Sequence, residues 1–464
     1  MSSNSKLVRH KQQRIQSVAK NCDSYSFFNL LTGPEMFSMV EELLPEERRE
    51  RQFPPTETLS MFLSQAMSED RSCQNAVNDA AIKRIISGLS PCSTATGGYC
   101  QARKRLPLEM VSALACYTGE LISGVVPAQW YWNGKRVCLI DGSTCVLADT
   151  PANQEVYPQQ SGQKPGLGFP IMRIVGIICL FSGALLNASV GSCSGKGSGE
   201  QTLLREMLDT FNPGDLVMGD ALFATYFLLA WLLENGIDGV FEQQGARQRV
   251  TDFRRGTRLG CRDHLIELSK PKRKPDWMSQ KDYDSAPESI TVRELKANGN
   301  VLVTTLLSEK TYPKNEIKDL YKKRWHVEVD LRNIKTTLGM ETLSCKTPEM
   351  VEKEMWVYFL AYNLIRLLMA QSALLADVLP RQLSFKHTVQ LWLAWAKHTQ
   401  ACYTQVDEGS LFILIAKKTV GNRPGRVEPR AVKRRPKPFS LLMEQREKAR
   451  EKIRKHGHPK KIRA

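Results

Sequence analysis

Residues 135–149 read KRVCLIDGSTCVLAD, and their alternation of apolar and polar positions predicts a β-strand. Residues 172–191, MRIVGIICLFSGALLNASVG, predict a more buried pair of strands joined by a Ser-Gly turn. The segments GEQTLLREMLDTF, DLVMGDALF, YFLLAWLLENG and GVFEQQ then predict helix, strand, helix and strand. Strands that interleave with helices in this way predict an α/β domain, with a mixed sheet flanked by helices.

The regions on either side of this pattern differ from it and divide the chain into three parts. The first part has apolar residues at helical spacing, and the last is rich in lysine and arginine. A basic, proline-containing and β-prone stretch also interrupts the α/β pattern. We therefore predict a helical N-terminal region at 1–125, an α/β domain at 126–400 with a β-rich insertion at about 245–307, and a basic C-terminal segment at 401–464.

The positive charge is concentrated at the C-terminal end of the chain. The formal net charge is +17, and residues 417–464 hold 18 Lys and Arg against four acids. Such a block suits a polyanion, because each neutralised phosphate releases counterions. A solvated tail is an equally good interpretation of the charge alone. The same two alternatives hold for Arg103, Lys104 and Arg105, which are either a DNA contact or part of an ordinary exposed helix.

Composition indicates a cytoplasmic protein with a large core. The chain has 464 residues, of which 42% are hydrophobic, and its 12 cysteines include no CxxC pair. Its polar, basic start does not have the pattern of a signal peptide. The apolar run at 357–376 carries Asn363, Arg366 and Gln371, so we predict a buried helix rather than a membrane span.

One predicted helix, at about 315–338, concentrates polar groups on a single face. It contains the segment YKKRWHVEVDLRNIKTTLG, and at about 100° per residue its apolar residues form a neighbouring stripe. Asp330 falls on the opposite side, so helix geometry selects Glu328 over Asp330 as the acid of the polar face. That face carries an aromatic hydroxyl, a carboxylate and three cations, namely Tyr321, Arg324, Glu328, Arg332 and Lys335.

Two aspartates give this glutamate a chemical context. Asp141 ends the apolar run VCLID, and Asp220 ends DLVMGD. Taken singly, Asp141 could belong to an Asp-Gly turn, Asp220 could cap the next helix, and Glu328 could be solvated. Together, two aspartates at strand ends and a later helical glutamate form the set that an RNase H-like nuclease needs. Carboxylate oxygens suit magnesium, and two ions can activate the attacking oxygen and stabilise the leaving one.

The sequence resembles the DDE transposases of the insertion sequence four family, whose mark is Tyr-x2-Arg-x3-Glu-x6-Lys. Tyr321, Arg324, Glu328 and Lys335 have that spacing. The resemblance also covers LIDGST, PANQEVYPQQSGQKPGLGFPIMR, GDALFATYFLLAWLL, the FRRG and KPKRKPDW parts of the insertion, and EPRAVKRRPKPF. It therefore extends over most of the chain from Trp130 onward and implies an RNase H-like catalytic domain.

The resemblance implies a role for each matching residue. Asp141, Asp220 and Glu328 would bind two Mg²⁺ ions, for which Mn²⁺ would substitute, and Tyr321, Arg324 and Lys335 would hold phosphates of the transposon end. Family members act as dimers on paired inverted repeats and join the 3′ ends to target DNA. Some cut through a hairpin, with a base flipped against an aromatic residue of the β insertion. Trp277 is the candidate to stack that base, and an ordinary core or surface tryptophan is an equally good interpretation of it.

The strand after Asp220 departs from the expected pattern. Glu242 lies where a DNA-facing strand would carry a cation, and Arg247 and Arg249 are the candidates to supply it. Arg332 is a further candidate DNA contact on the polar helix face.

We predict a bacterial DNA transposase that acts on double-stranded DNA as a homodimer in the cytoplasm, at the nucleoid. In this prediction the helical region at 1–125 binds DNA, and the domain at 126–400 is the RNase H-like catalytic domain. Two alternatives remain open. One is a transposase-derived DNA-binding protein without catalysis, and the other is a standalone RNase H-like nuclease. The three acids together argue against the first, because a protein that does not cut DNA has no chemical need for them.

Overall fold

The computed structural model describes residues 53–86, 88–195, 197–297, 299–399, 408–420 and 443–457. Much of the predicted basic C-terminal segment, and residues 1–52 of the predicted N-terminal region, lie outside the described residues. Statements about structure below concern the described ranges.

Within the described part of the chain, four α-helices precede the sheet. Gly119 allows the last of them to lie directly against a strand, because a Cβ at this position would be 2.0 Å from the carbonyl oxygen of Leu185. The first and the last share a core with the sheet, so this region packs on the α/β domain. Arg103 is buried with its guanidinium over the ring of Phe62, and is thus an interior residue and not a DNA contact. The helices are α1 (Pro55–Met67), α2 (Cys73–Ile86), α3 (Thr96–Arg105) and α4 (Leu108–Val125).

Five strands form the centre of the domain in the spatial order β3-β2-β1-β4-β5. The first three in sequence are antiparallel neighbours, whereas β4 and β5 run parallel to β1. This is the RNase H-like arrangement, so the predicted fold class is confirmed. The strands are β1 (Val137–Leu147), β2 (Ile171–Cys179), β3 (Leu185–Ser192), β4 (Leu216–Gly219) and β5 (Asp238–Glu242).

Short helices connect these strands, and the two that follow β3 and β4 share a core with one face of the sheet. The predicted helix after β3 is shorter than its apolar pattern indicates, because it ends at Arg205 and a 3₁₀ turn follows at Leu208–Thr210. The helices of this part are α5 (Pro151–Val156), α6 (Glu200–Arg205) and α7 (Tyr226–Glu234).

The predicted β insertion extends the central sheet instead of forming a separate unit. Its last strand pairs antiparallel with β5, and the others continue the sheet outward. Arg293 and Asp263 form a buried ion pair at 2.6 Å between neighbouring strands of this extension. Its elements are α8 (Gly245–Val250), β6 (Thr257–Gly260), β7 (Asp263–Ser269), α9 (Gln280–Ser285), β8 (Ser289–Ala297) and β9 (Asn300–Thr304).

The predicted helix at about 315–338 is present as a helical run with two irregular turns. Helix α10 (Lys314–Lys322) is followed by a 3₁₀ turn at Lys323–Trp325, and α11 (His326–Arg332) is followed by a π turn at Asn333–Thr337. Irregular turns of this kind often mark functional sites in helices. Strand β10 (Thr342–Leu343) then pairs parallel with the end of β1.

The predicted apolar helix has the bounds Pro348–Ala376 and forms α12. It is long and apolar enough to cross a membrane, but 72% of its most apolar window is buried inside the fold. Asn363 and Arg366 are buried in it with hydrogen-bond partners, which agrees with the predicted core helix. The remaining described helices are α13 (Phe385–Thr399), α14 (Glu408–Ala416) and α15 (Arg446–His456).

Candidate active site

Asp141 lies in the middle of β1, which continues to Leu147. The prediction that Asp141 ends its strand was therefore wrong, and so was the alternative of an Asp-Gly turn. What does end near this point is the pairing between β1 and β4, whose last pair is Leu139 with Met218. Asp141 thus lies just past the point where the two central strands stop pairing with each other.

Asp220 immediately follows β4, next to the point where β1 and β4 stop pairing. Its carboxylate accepts a hydrogen bond from the backbone N–H of Leu222 at 2.8 Å, within its own turn. It does not cap the next helix, because Thr225 is the residue whose side chain caps α7. The alternative of a helix cap is excluded, and the carboxylate of Asp220 is at the end of a buried strand.

Glu328 lies in the first turn of α11, and its carboxylate is exposed. The Arg324 guanidinium one turn earlier pairs with it at 3.2 Å. Asp330 is fully buried, and it pairs with Arg366 and Arg381. The two acids thus lie on opposite sides of the helix, as the helical spacing predicted, and of the two only Glu328 is exposed.

The charges of these acids act on one another at Asp141. Burial, with the nearby carboxylates of Asp220 and Glu328, raises the pKa of Asp141 to about 6. A hydrogen bond from the backbone N–H of Gly142 and the charge of Arg324 oppose this increase. The three carboxylates are therefore electrostatic neighbours, and their combined negative charge favours a cation at this place.

This pKa gives a prediction about stability without metal. The Asp141 carboxyl binds its proton more tightly in the folded chain, at a pKa of about 6, than at the ordinary value of 3.8. The free energy of unfolding should therefore fall as the pH rises between these values. Asp141→Asn removes the buried charge, so at pH 7 in EDTA we expect a gain of about 1–2 kcal/mol in urea unfolding.

The exposed Asp209 offers a matched control, because Asp209→Asn removes the same charge away from the site. The difference between Asp141→Asn and the unchanged protein should shrink toward pH 4. An Asp141→Asn protein that is less stable than the unchanged one at pH 7 would contradict this electrostatic account.

Two residues of the polar helix face contact the strands that hold the aspartates. The Tyr321 hydroxyl donates to the carbonyl oxygen of Gly219, directly before Asp220, at 3.2 Å. Lys335 donates from Nζ to Oγ of Ser143 on β1 at 3.3 Å. The face predicted from helical spacing is therefore directed at the end of β4 and at the middle of β1, next to Asp220 and Asp141.

Trp277 lies at a cavity of about 370 Å³ on the α6 and α7 side of the sheet, and 48% of the residue is exposed. The Arg205 guanidinium lies over its ring at 3.9 Å, and Phe227 contacts it edge-on. Gln201, which follows Glu200, also lines this cavity and donates to the carbonyl oxygen of Leu222. The cavity therefore borders the turn that holds Asp220.

The other cations predicted to contact DNA differ in their partners within the protein and in their exposure. Arg247 pairs with the buried Glu294 at 3.3 Å, so it has a structural partner. Arg249 donates to the carbonyl oxygen of Gly245 in its own helix, and Arg332 is exposed. Glu242 is half-buried at the end of β5. A DNA contact by these three arginines stays a prediction.

The sequence interpretation missed two residues near the site. Trp325 lies between Arg324 and Glu328, is 54% exposed, and stacks against His326. A large aromatic residue next to the signature acid was the available signal. Arg205 had no signal in the sequence, because its contact with Trp277 joins two distant segments.

Comparison with known proteins decides the family. Residues 132–364, half of the chain, match the family model described as the transposase DDE domain. The chain belongs to the DDE transposase family. Enzymes of this family cleave DNA and transfer its strands, and they normally use divalent metal ions. The chain is accordingly an enzyme that binds DNA.

Individual relatives of this DDE transposase agree. It is 28% identical over 408 residues to transposase InsG for insertion sequence element IS4 of Escherichia coli K12, covering 84% of the chain and 87% of InsG. It is also 32% identical over 76 residues to the transposase for insertion sequence element IS421 of Escherichia coli. This shorter match covers 16% of this chain and 20% of that transposase. The chain is thus a transposase of the bacterial insertion-sequence type.

A solved structure has a distant likeness to the fold. The piggyBac transposase synaptic complex with hairpin DNA matches with a TM-score of 0.41 and 9% identity, over 86% of this chain and 85% of that chain. This likeness is too distant to bear on function.

The donor atoms of the site fit the divalent ions that the family uses. All are carboxylate oxygens, which magnesium and manganese prefer to nitrogen and sulfur donors. Within the described ranges, no three acidic, histidine or cysteine side chains converge closely enough to form one closed metal cluster. Glu328 instead pairs with Arg324, so it would have to exchange that partner to bind an ion together with Asp141 and Asp220.

Proposed function

We propose that Asp141, Asp220 and Glu328 are the catalytic carboxylates of this transposase and hold two Mg²⁺ ions, for which Mn²⁺ substitutes. The observation that carries the proposal is that Asp141 and Asp220 lie where β1 and β4 stop pairing. The helical run of Glu328 contacts both of these strands, through the Tyr321 hydroxyl and Lys335 Nζ. The raised pKa of Asp141 supports the proposal, because like charges near one another favour a bound cation.

The residues around the carboxylates support phosphoryl transfer on DNA. When bound, divalent ions activate the attacking oxygen and stabilise the leaving one. Arg324, released from Glu328, is free to bind a phosphate with its planar guanidinium. Lys335 adds a second positive charge from the same helical run, and Tyr321 holds the end of β4, and with it Asp220, in place.

The substrates we propose are the inverted repeats at the ends of the element and the target DNA. Water cleaves the phosphodiester bond at each end and leaves a 3′-hydroxyl on the element. This hydroxyl then attacks a phosphate of the target, and the new phosphodiester bond forms as the bond to the target strand's own 3′-oxygen breaks. Two ends require two active sites, so we propose a homodimer that acts at the nucleoid in a bacterial cytoplasm. The basic residues at 417–464 would neutralise phosphates in this complex.

A strand-transfer assay with a pre-cut end tests this function against its alternatives. The purified protein should join the pre-cut 3′ end to a plasmid when Mg²⁺ is present, and Asp220→Asn should join none. A standalone nuclease would degrade or nick DNA without joined product, and a non-catalytic binding protein would retard the end DNA without either product. Either result would overturn the proposal.

We also propose that Trp277 stacks an unpaired base of the transposon end in the neighbouring cavity. Its ring is half exposed, and Arg205 already lies over it as a planar group. Base stacking on an aromatic ring contributes about 1–3 kcal/mol. Trp277→Ala should therefore slow processing of the end about 5–100-fold, whereas Trp277→Phe should keep much of the rate.

Fluorescence of 2-aminopurine at each position near the cleavage site reports the base directly. With unchanged protein we expect one position at which the fluorescence changes on binding, and that change should be lost with Trp277→Ala. The same response at every position with both proteins would show that Trp277 does not hold a base.

A further inference from the structure

Glu200 is an acidic residue on which the charge of Asp220 of the candidate site acts, and it lies outside the Tyr-x2-Arg-x3-Glu-x6-Lys signature. It is the first residue of α6, directly after the glycine-containing turn that follows β3. Side chains of β1 alternate between the two faces of the sheet. Leu139 shares a core with α11, whereas Ile140 shares a core with α6. Asp141 therefore faces α11, and Gly142 faces α6 and Glu200.

The contact between Glu200 and Gly142 is close. A Cβ built on Gly142 would lie 2.2 Å from the carboxyl carbon of Glu200 and 2.3 Å from one of its oxygens. The Glu200 carboxylate therefore occupies the space that any side chain at this position would need. Gly142 has ordinary backbone angles among the described residues, so close approach explains this glycine, and conformational freedom does not.

This contact falls where the sheet is open. The edge of β1 that faces β4 is paired at Leu139 and again, with β10, at Val146. Between these two positions it pairs with no strand in the described ranges. Asp141 and Gly142 lie in this unpaired interval. A carboxylate beneath Gly142 is thus separated from the site by backbone alone, without a covering strand.

The charges around Glu200 connect it to the same site. Burial raises the pKa of Glu200, the charge of Arg173 lowers it, and the charge of Asp220 raises it. Arg173 donates to the carbonyl oxygen of Ser198 at 2.7 Å. Within the described part of the chain, the Glu200 carboxylate has no hydrogen-bond donor and no ion pair of its own. Its oxygens remain available to a further cation.

We propose that Glu200 is a fourth carboxylate of the metal site and binds a divalent ion, directly or through a water, from the face opposite to Glu328. This inference rests on the proposed function, because it needs an ion held by Asp141 and Asp220. It adds a ligand that anchors the ion while Glu328, on the exposed helix, exchanges its pairing with Arg324.

Mn²⁺ binding tests the proposal without relying on activity. The full-length protein, bound to a duplex of the element end, is titrated with Mn²⁺ while free ion is measured by electron paramagnetic resonance. Glu200→Gln keeps the size of the side chain and should raise the apparent Kd of Mn²⁺ about 10–100-fold. Asp209→Asn, an exposed charge-matched control on the segment after α6, should leave it unchanged.

A second variant tests the contact itself. Gly142→Ala places a methyl group where the Glu200 carboxylate lies, so it should also weaken Mn²⁺ binding. In combination with Glu200→Gln it should add little, because the ligand is already lost. Additive losses would mean that Gly142→Ala acts on the strand alone and would contradict a shared role.

The outcomes separate this inference from the proposed function. If Glu200→Gln binds Mn²⁺ as the unchanged protein does while Asp141→Asn does not, Glu200 is no ligand and the proposed function stands. If Asp141→Asn also binds Mn²⁺ normally, the proposed function fails with it. Glu200→Gln that melts at a lower temperature in EDTA, with unchanged Mn²⁺ affinity, would assign Glu200 a structural role and overturn the inference.

Discussion

Replacing Glu328 with glutamine should lower the rate of cleavage at the element ends by at least about a thousandfold. The carboxylate is exposed at the start of α11 and is the only acid of that helix available to an ion. Glutamine keeps its size but removes the charge, and metal ligation contributes several kcal/mol to the transition state. A loss of about 4 kcal/mol corresponds to a thousandfold in rate.

The affinity for end DNA shows whether Glu328→Gln slows the cleavage step itself or only weakens DNA binding. We expect the affinity of Glu328→Gln for the end duplex to stay within a few-fold, because the cations of the site are retained. Glu341→Gln, an exposed acid beyond the π turn, is a matched control that should cleave normally. Cleavage by Glu328→Gln at a tenth of the normal rate or faster would remove Glu328 from the catalytic set.

Replacing Asp330 with alanine should destabilise the protein by about 3–5 kcal/mol, the usual result of leaving a buried charge without its partner. Asp330 is fully buried, and its carboxylate pairs with Arg366 of α12 and with Arg381 at 2.7 Å. The substitution leaves the guanidinium groups of Arg366 and Arg381 largely buried beside α11 without the carboxylate that pairs with them. Urea unfolding at neutral pH measures the loss.

A double variant distinguishes the loss of the ion pair from the loss of side-chain packing at Asp330. Asp330→Ala combined with Arg366→Met removes one of the stranded charges, so it should recover part of the stability. An Asp330→Ala protein that loses less than about 1 kcal/mol would show that this buried network does not hold α11 in place.

Where the sequence pattern was local and repeated, it predicted the structure well. The apolar run at 357–376 predicted a buried helix, and it forms the larger part of α12 and ends with it at Ala376. The strand pair β2 and β3 followed from two apolar runs with a Ser-Gly turn, where Gly183 has a φ of 73°. Opposite sides of one helix separated Glu328 from the buried Asp330.

Features that depend on distant contacts could not be predicted in the same way. The run VCLID suggested a strand end at Asp141, but hydrogen bonds to β2 carry the strand on to Leu147. The composition of 245–307 predicted a β-rich insertion, but only the fold shows that β9 pairs with β5 and joins the insertion to the central sheet. Arg103 looked exposed because it belongs to a basic cluster, and only the fold shows the rings that cover it.

The same distinction between local patterns and distant contacts applies to the candidate site. Its three acids and the polar helix face could be proposed from spacing, because each lies in a recognisable element. The contact between Glu200 and Gly142 could not be proposed from spacing, because it depends on how α6 packs against β1 in the folded chain. The partners of Trp277 and Arg247 likewise come from segments far away in sequence.

The most direct test of the metal site is a crystal structure of the full-length protein with end DNA and Mn²⁺, with diffraction recorded at the manganese absorption edge. We predict two anomalous peaks, with carboxylate oxygens of Asp141, Asp220 and Glu328 as ligands and the pairing of Glu328 with Arg324 broken. Manganese bound without Glu328, with that glutamate still paired to Arg324 and more than about 10 Å from the ions, well beyond the roughly 2 Å of a metal–oxygen bond, would contradict this account.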